Sequence, residues 1–274
     1  MQFELVRLSM LPRTDLFARA ADDGTPFTRE GWLRDIFSKE MDFQHRGELF
    51  HFSPDGSEPS GPLIVGRIGR KVTSAENEPP TGHLAPTKRD IWKAATVLLD
   101  PTHHADGQKA AVQHDVTIGR PVALLESLAA HINALHEPFI VETNAIVPSD
   151  TFWNFVKLNE GEITSVEFEF VAPNMFGEAD DYDDEMRSMQ ANEKIQKAKL
   201  KLESKDGLSL NTTRVQRAAD YANKGAGSIQ ARTKKGKKYS SKEKAQKITI
   251  PNKDVAKSGI SSLISRIFGG ISRT

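Results

Sequence analysis

Ile163-Thr164-Ser165-Val166-Glu167-Phe168-Glu169-Phe170-Val171 changes character at every second residue. Val166, Phe168 and Phe170 fall with Thr164 on one side of an extended chain, and Ser165, Glu167 and Glu169 fall with Ile163 on the other. A period of two is the mark of a β-strand with one face in a core. Farther on, Ile195 to Leu202 sets Lys197, Lys199 and Lys201 against Ala198, Leu200 and Leu202, a second half-buried strand with lysines on its open face. Asp206-Gly207 follows as a turn.

Helices are interleaved with these strands. Trp32, Leu33, Ile36 and Phe37 recur at helical spacing within 28–40, behind a capping Thr28. Pro121 opens a helix to His136 whose Val122, Leu125, Leu128, Ala129 and Ile132 share one face. Ser149 is placed to cap a short helix through Phe152, Trp153, Phe155 and Val156, and 212–224 reads as a helix ended by Gly225 to Gly227. Further strands are expected at 1–8, 48–52, 63–68, 139–147 and in a hairpin of 91–99 with 109–115. Residues 73–87, rich in Pro, Glu, Thr and Gly, read as a long flexible connection. Ser228 to Thr233 and Lys247 to Ile250 read as a hairpin around a lysine-rich loop. Strands and helices mixed with hairpins predict an α+β fold, with mixed or antiparallel sheets, flanking helices and a C-terminal amphipathic helix. The expected organisation is an acidic α+β region over 1–147, an α+β region with a basic hairpin over 148–252, and a helical tail over 253–274.

The formal net charge of zero conceals a division. Residues 193–274 hold 20 of the 37 Lys and Arg but only 6 of the 37 Asp and Glu. That part therefore carries +14 and residues 1–192 carry −14. Such asymmetry points to a polyanionic partner, or to mutual neutralisation of the two parts. Cysteine is absent, which excludes disulfides and thiolate chemistry. Neither a signal peptide nor an apolar run long enough for a membrane span is present, and a bacterial or phage cytoplasm is the expected location.

The basic loop supplies the first candidate site. Arg232, Lys234, Lys235, Lys237, Lys238, Lys242 and Lys244 surround Tyr239. Lysines neutralise phosphates without reading sequence, and the tyrosine is placed to stack on a base or pack under a sugar. Lys197, Lys199 and Lys201, with Arg214 and Arg217, would extend the patch. The second candidate is the tail, where Ile260, Leu263, Ile264, Ile267, Phe268 and Ile271 form one apolar helical face. That face must be covered by the same fold, by a protein partner or by a membrane surface. Asp100, His103, His104, Asp106, His114 and Asp115 gather around one hairpin without a recognised metal spacing, so no metal site is assigned. Glu203 and Lys205, with Asp184 upstream, have the residue types of a metal-dependent nuclease, and equally those of a solvated turn. The acidic run 178–185 reads as a charged helix start, or as a mimic of nucleic acid shielding the basic part. No catalytic residue and no cofactor is assigned.

Asp150-Thr151-Phe152-Trp153, the 163–170 strand and Pro173-Asn174-Met175-Phe176-Gly177 resemble the RexA-like phage-exclusion sensors. The later order of a helix, Ser228-Ile229-Gln230-Ala231-Arg232 and Tyr239-Ser240-Ser241-Lys242 is also similar, so the resemblance covers roughly residues 148–250. It implies a non-enzymatic, homodimeric DNA-binding protein of low sequence preference, acting with a membrane partner in abortive infection, an antiviral defence. The C-terminal amphipathic helix departs from that pattern. Three functional readings follow: a nucleic-acid-backbone-binding protein that serves as a phage-defence or exclusion sensor, a protein-interaction or membrane-peripheral component acting through residues 257–274, and a metal-dependent nuclease.

Overall fold

Ile163–Val171 is a strand, and its inner row of Val166, Phe168 and Phe170 is buried while Ser165, Glu167 and Glu169 are only partly covered. Around it the computed structural model describes residues 1–13, 27–56, 61–102, 107–171 and 197–251, with Ser188, Met189, Asn192, Ile195, Ser262, Ile264, Ile267 and Phe268. The elements in chain order are β1 (Gln2–Pro12), α1 (Arg29–Ile36), β2 (Met41–His45), β3 (Glu48–Pro54), β4 (Ile64–Asn77), β5 (Pro86–Asp100), β6 (Gln108–Gln113) and α2 (Pro121–Ala134). There follow β7 (Phe139–Ala145), α3 (Asp150–Leu158), β8 (Ile163–Val171), β9 (Lys197–Glu203), α4 (Thr213–Tyr221), β10 (Gly227–Thr233), β11 (Lys238–Ser240) and β12 (Lys247–Thr249). The fold is α+β, and every ladder between these strands is antiparallel.

The first sheet runs β12-β1-β6-β5-β4-β3-β2, with β7 also paired to β1. One face packs on α1 and α2 through Phe50, Phe52, Ile68 and Val97 against Trp32, Leu33, Leu125 and Leu128. The other face buries Phe3, Leu5, Leu98 and Ala111 under Ile146, Ile264 and Phe268. Because β1 is covered on both faces, its residues are buried almost without interruption, and this removes the alternation expected of a one-sided strand. Thr28 caps α1, its hydroxyl accepting from the Gly31 amide at 3.0 Å. Ser149 makes no side-chain cap to α3, contrary to expectation, because its own backbone is already helical.

The second sheet runs β11-β10-β8-β9. Its apolar face, with Phe168, Phe170 and Ile229, packs on Phe152 of α3 and on Val215, Ala218 and Ala219 of α4. The Thr212 hydroxyl caps α4. Beyond Tyr221 the helix widens into one π turn and stops at Gly225, whose φ of +82° suits glycine and whose Cβ, if present, would lie 2.6 Å from that of Arg7.

Two expectations are corrected. Residues 73–87 are not a flexible connection: β4 and β5 continue as one ladder to Asn77↔Pro86 and close through a tight turn at 80–84. That arm projects with both faces in water, so its strands are polar throughout and give no alternating signal. Lys247–Thr249 does not pair with Ser228–Thr233. It joins β1 in the first sheet, at Phe3↔Ile248, because Ile248 and Ile250 find their apolar partners there.

Candidate polyanion-binding hairpin

The hairpin of β10 and β11 turns far more tightly than the loop of 234–242 read from the sequence. The Thr233 amide donates to the Lys237 carbonyl at 3.0 Å, the Gly236 amide donates to the Thr233 carbonyl at 2.9 Å, and Gly236 takes a φ of +79°. Lys234, Lys235, Gly236 and Lys237 therefore form the tip, while Lys238, Tyr239 and Ser240 become a strand.

Register then sorts the side chains. Tyr239 stands opposite Ala231 and turns inward, where it is 5% exposed. Its ring packs edge-on to Phe152 at 5.6 Å and tilted on Phe155 at 5.4 Å, and its hydroxyl lies 3.1 Å from that of Thr151. Burial raises the phenol above its ordinary pKa. The expected stacking role is corrected accordingly: Tyr239 belongs to the core of the second sheet, because alternation from the tip puts it on the inner face.

Arg232 and Lys238 stand opposite one another on the outer face. Both are exposed, and among the described residues neither has an ion pair. At the tip three lysines gather around one carboxylate. Lys235 bonds Glu162 at 2.6 Å, Lys234 reaches the Asp206 carbonyl at 2.8 Å, and Lys237 reaches Asn159 Oδ1 at 3.3 Å. The Lys235 ammonium bonded to Glu162, with Lys237 and Lys234 nearby, holds the Glu162 carboxyl below its ordinary range. Three cations thus act on this one carboxylate, with Arg232 and Lys238 next along the ladder, leaving the hairpin end electropositive.

The other expected basic residues are elsewhere. Lys242 pairs with Glu126 of α2 at 2.8 Å. Lys244 is exposed next to Glu243, which bonds Arg120 at 2.7 Å. Lys197, Lys199 and Lys201 do project from the open face of β9, but carboxylates meet all three. Lys197 meets Glu142 at 2.9 Å, Lys199 meets Glu167 and Glu169 at 3.0 Å each, and Lys201 meets Glu203 at 2.9 Å. Bonding to Glu167 and then Glu169 raises the Lys199 pKa, and Lys201 is raised by Glu203. Burial alone would raise the Glu169 carboxyl, yet Lys199 and Lys197 bring it below its usual value. The lysine row is therefore neutralised, across strands at Lys197 and Lys199 and along β9 at Lys201, and is not a continuation of the hairpin's field. Glu162, Asn159 and Asp206, which anchor the tip, come from turns distant in sequence and carry no motif.

In the tail, Ile264 and Phe268 are fully buried against Phe3, Leu63 and Leu98 of the same chain, and Ile267 packs beside them. Ile260, Leu263 and Ile271 lie outside the described residues, as do His103, His104, Asp106, Asp184 and the acidic run. Among the described residues no group of three His, Asp or Glu is arranged to hold a metal. Asp100 accepts instead from Thr102, and His114 bonds Glu4. Also among the described residues, no helix is long and apolar enough to cross a membrane. Comparison with protein-family models, with curated protein sequences and with solved structures finds no match.

Proposed function

We propose that the protein binds the sugar-phosphate backbone of nucleic acid through the outer face and tip of the β10–β11 hairpin, without catalysis and with little sequence preference. The carrying observation is the cross-strand pair Arg232 and Lys238. Like charges placed directly opposite in a ladder oppose folding, and nearly every other lysine of this sheet has been given an acceptor. An unanswered cationic pair beside a tip of three more lysines favours an external anion. Lysine-rich contacts suit phosphates rather than base edges.

The resemblance to RexA-like sensors supports the same reading and extends it to a cytoplasmic exclusion sensor. A homodimer would bring two such hairpins to one duplex and gain by avidity. The test is anisotropy of a short labelled DNA duplex titrated with the full chain at several salt concentrations. Affinity should fall steeply with salt, and should be lost when Arg232, Lys234, Lys235, Lys237 and Lys238 are changed together to Ala. Absence of binding at low salt refutes the proposal.

A further inference from the structure

The face of the first sheet that buries Phe3 and Leu98 under Ile264 and Phe268 is not covered along its whole length. Toward the β4–β5 arm the same face continues through three successive rows of the ladder. These are Ser53, Arg67 and Thr96, then His51, Gly69 and Ala94, then Lys71 and Trp92. No element lies over these rows among the described residues, and Trp92 is 64% exposed.

His51, Ser53, Arg67, Gly69, Trp92 and Ala94 of these rows, with Pro54 and Asp55, line a shallow groove with a cavity of about 190 Å³. Its floor is low because Gly69 and Ala94 are adjacent. A Cβ on Gly69 would already lie 2.9 Å from the Lys93 carbonyl and 3.3 Å from the Ala94 Cβ. The Trp92 indole forms one wall, with the His51 ring edge-on to it at 6.4 Å. Arg67 and Asp55 form the opposite wall, 3.9 Å apart. A large exposed aromatic next to small residues and both donors and acceptors is the composition of a ligand groove.

Charge decides which ligand. Each fixed cation here has a carboxylate. Arg67 lies near Asp55, and Lys71 bonds Asp90 at 2.7 Å. His51 bonds Asp42 at 2.7 Å and has Glu40 at 3.9 Å. Four carboxylates, two on Arg67 and Lys71 and two on His51, repel a phosphate chain, so this groove is unsuited to the partner of the hairpin. A cationic ligand would call for a cage of aromatic rings, and here one exposed indole stands with only the His51 ring beside it. An uncharged polyhydroxylated ring fits both conditions. Its C–H face can lie on Trp92, and its hydroxyls can accept from Arg67, donate to Asp55 and bond the His51 ring.

We infer that this open face is a carbohydrate-binding groove for a neutral sugar unit, with Trp92 as the stacking platform and His51, Asp55 and Arg67 as the hydroxyl partners. The groove lies in the first sheet and does not depend on nucleic-acid binding by the second.

The test is calorimetric titration of the full chain with maltohexaose, cellohexaose and chitohexaose, together with tryptophan emission. At least one saccharide should bind with a Kd on the order of 1 mM or tighter and shift the emission to the blue. Trp92→Ala should weaken that binding about tenfold or more. Ala94→Leu, which keeps the indole but raises the floor, should also weaken it. Both positions are exposed, so unchanged circular dichroism will show that the fold is kept. No heat with any of the three saccharides overturns the inference, as does binding unaffected by Trp92→Ala. An emission shift produced by single-stranded oligonucleotide or tetramethylammonium, and by no saccharide, overturns it as well.

Discussion

Lys238→Glu should move stability and DNA affinity in opposite directions. Arg232 and Lys238 face each other across the β10–β11 ladder, both exposed and without ion pairs among the described residues. The substitution turns a like-charge pair into an opposite-charge pair, worth about 0.2–1 kcal/mol in a sheet. For a chain of this size that corresponds to a rise in Tm of roughly 0.4–4 °C. Binding should weaken, because one cation is removed and Arg232 acquires an internal partner. Two phosphate contacts are then lost, and the slope of log affinity against log salt should become shallower by about 1.8 for duplex DNA. Differential scanning fluorimetry and anisotropy at a series of salt concentrations measure the two effects on one preparation. A destabilised variant would mean that Lys238 has a structural partner, and an unchanged salt slope would mean that the pair does not meet phosphate. Either result refutes the reasoning.

Glu162→Gln frees Lys235, and with it the tip, so the same salt slope should steepen by about 0.9 while the Tm stays near that of the parent. Tyr239→Phe should cost about 1 kcal/mol in urea unfolding through the lost bond to Thr151, and Tyr239→Ala about 3–5 kcal/mol, neither changing the salt slope. Gly227→Ala should be destabilising by about 1–3 kcal/mol in the same assay, because a Cβ there would collide with the Glu169 carbonyl oxygen. His45 is buried beside Ser127, and burial, then Arg46 and Arg70, lowers its pKa from the ordinary 6.5. The unfolded chain therefore takes up this proton first as the pH falls below 6.5. Stability is full above that pH and declines below it, by at most about 1.4 kcal/mol per pH unit, until the folded ring also protonates. His45→Asn should flatten that limb of a pH series of urea midpoints.

The two rows of β8 and β9 were legible because each strand has one wet face, so a period of two appears in the residues themselves. Their partnership was not. Glu167 and Glu169 answer Lys199 only because β9 lies beside β8, and adjacency is a property of the fold. Tyr239 was misread for a related reason. Its inward turn follows from a tip that closes at Lys234 to Lys237, and moving that turn by one residue would put the ring outside. The β4–β5 arm escaped notice because strands wet on both faces leave no pattern, and β2 because it is short. The helices were read closely, since Thr28, Pro121 and Thr212 mark their starts by local chemistry.

β1 takes three partners, β6, β7 and β12, and the last of these lies near residue 248. The Met1 amino group bonds the Ile250 carbonyl across a separation of 249 residues. β1 thus waits for a strand made about 245 residues after it. During translation its Phe3, Leu5, Val6 and Leu8 stand uncovered while the ribosome makes the rest of the first sheet, and the β12 edge closes only after the second sheet has emerged. Contacts of such separation delay folding, and an apolar strand with open edges is what nascent-chain chaperones hold. Closure of the first sheet should accordingly come late in folding, with β1 the stretch most exposed to mispairing on the way.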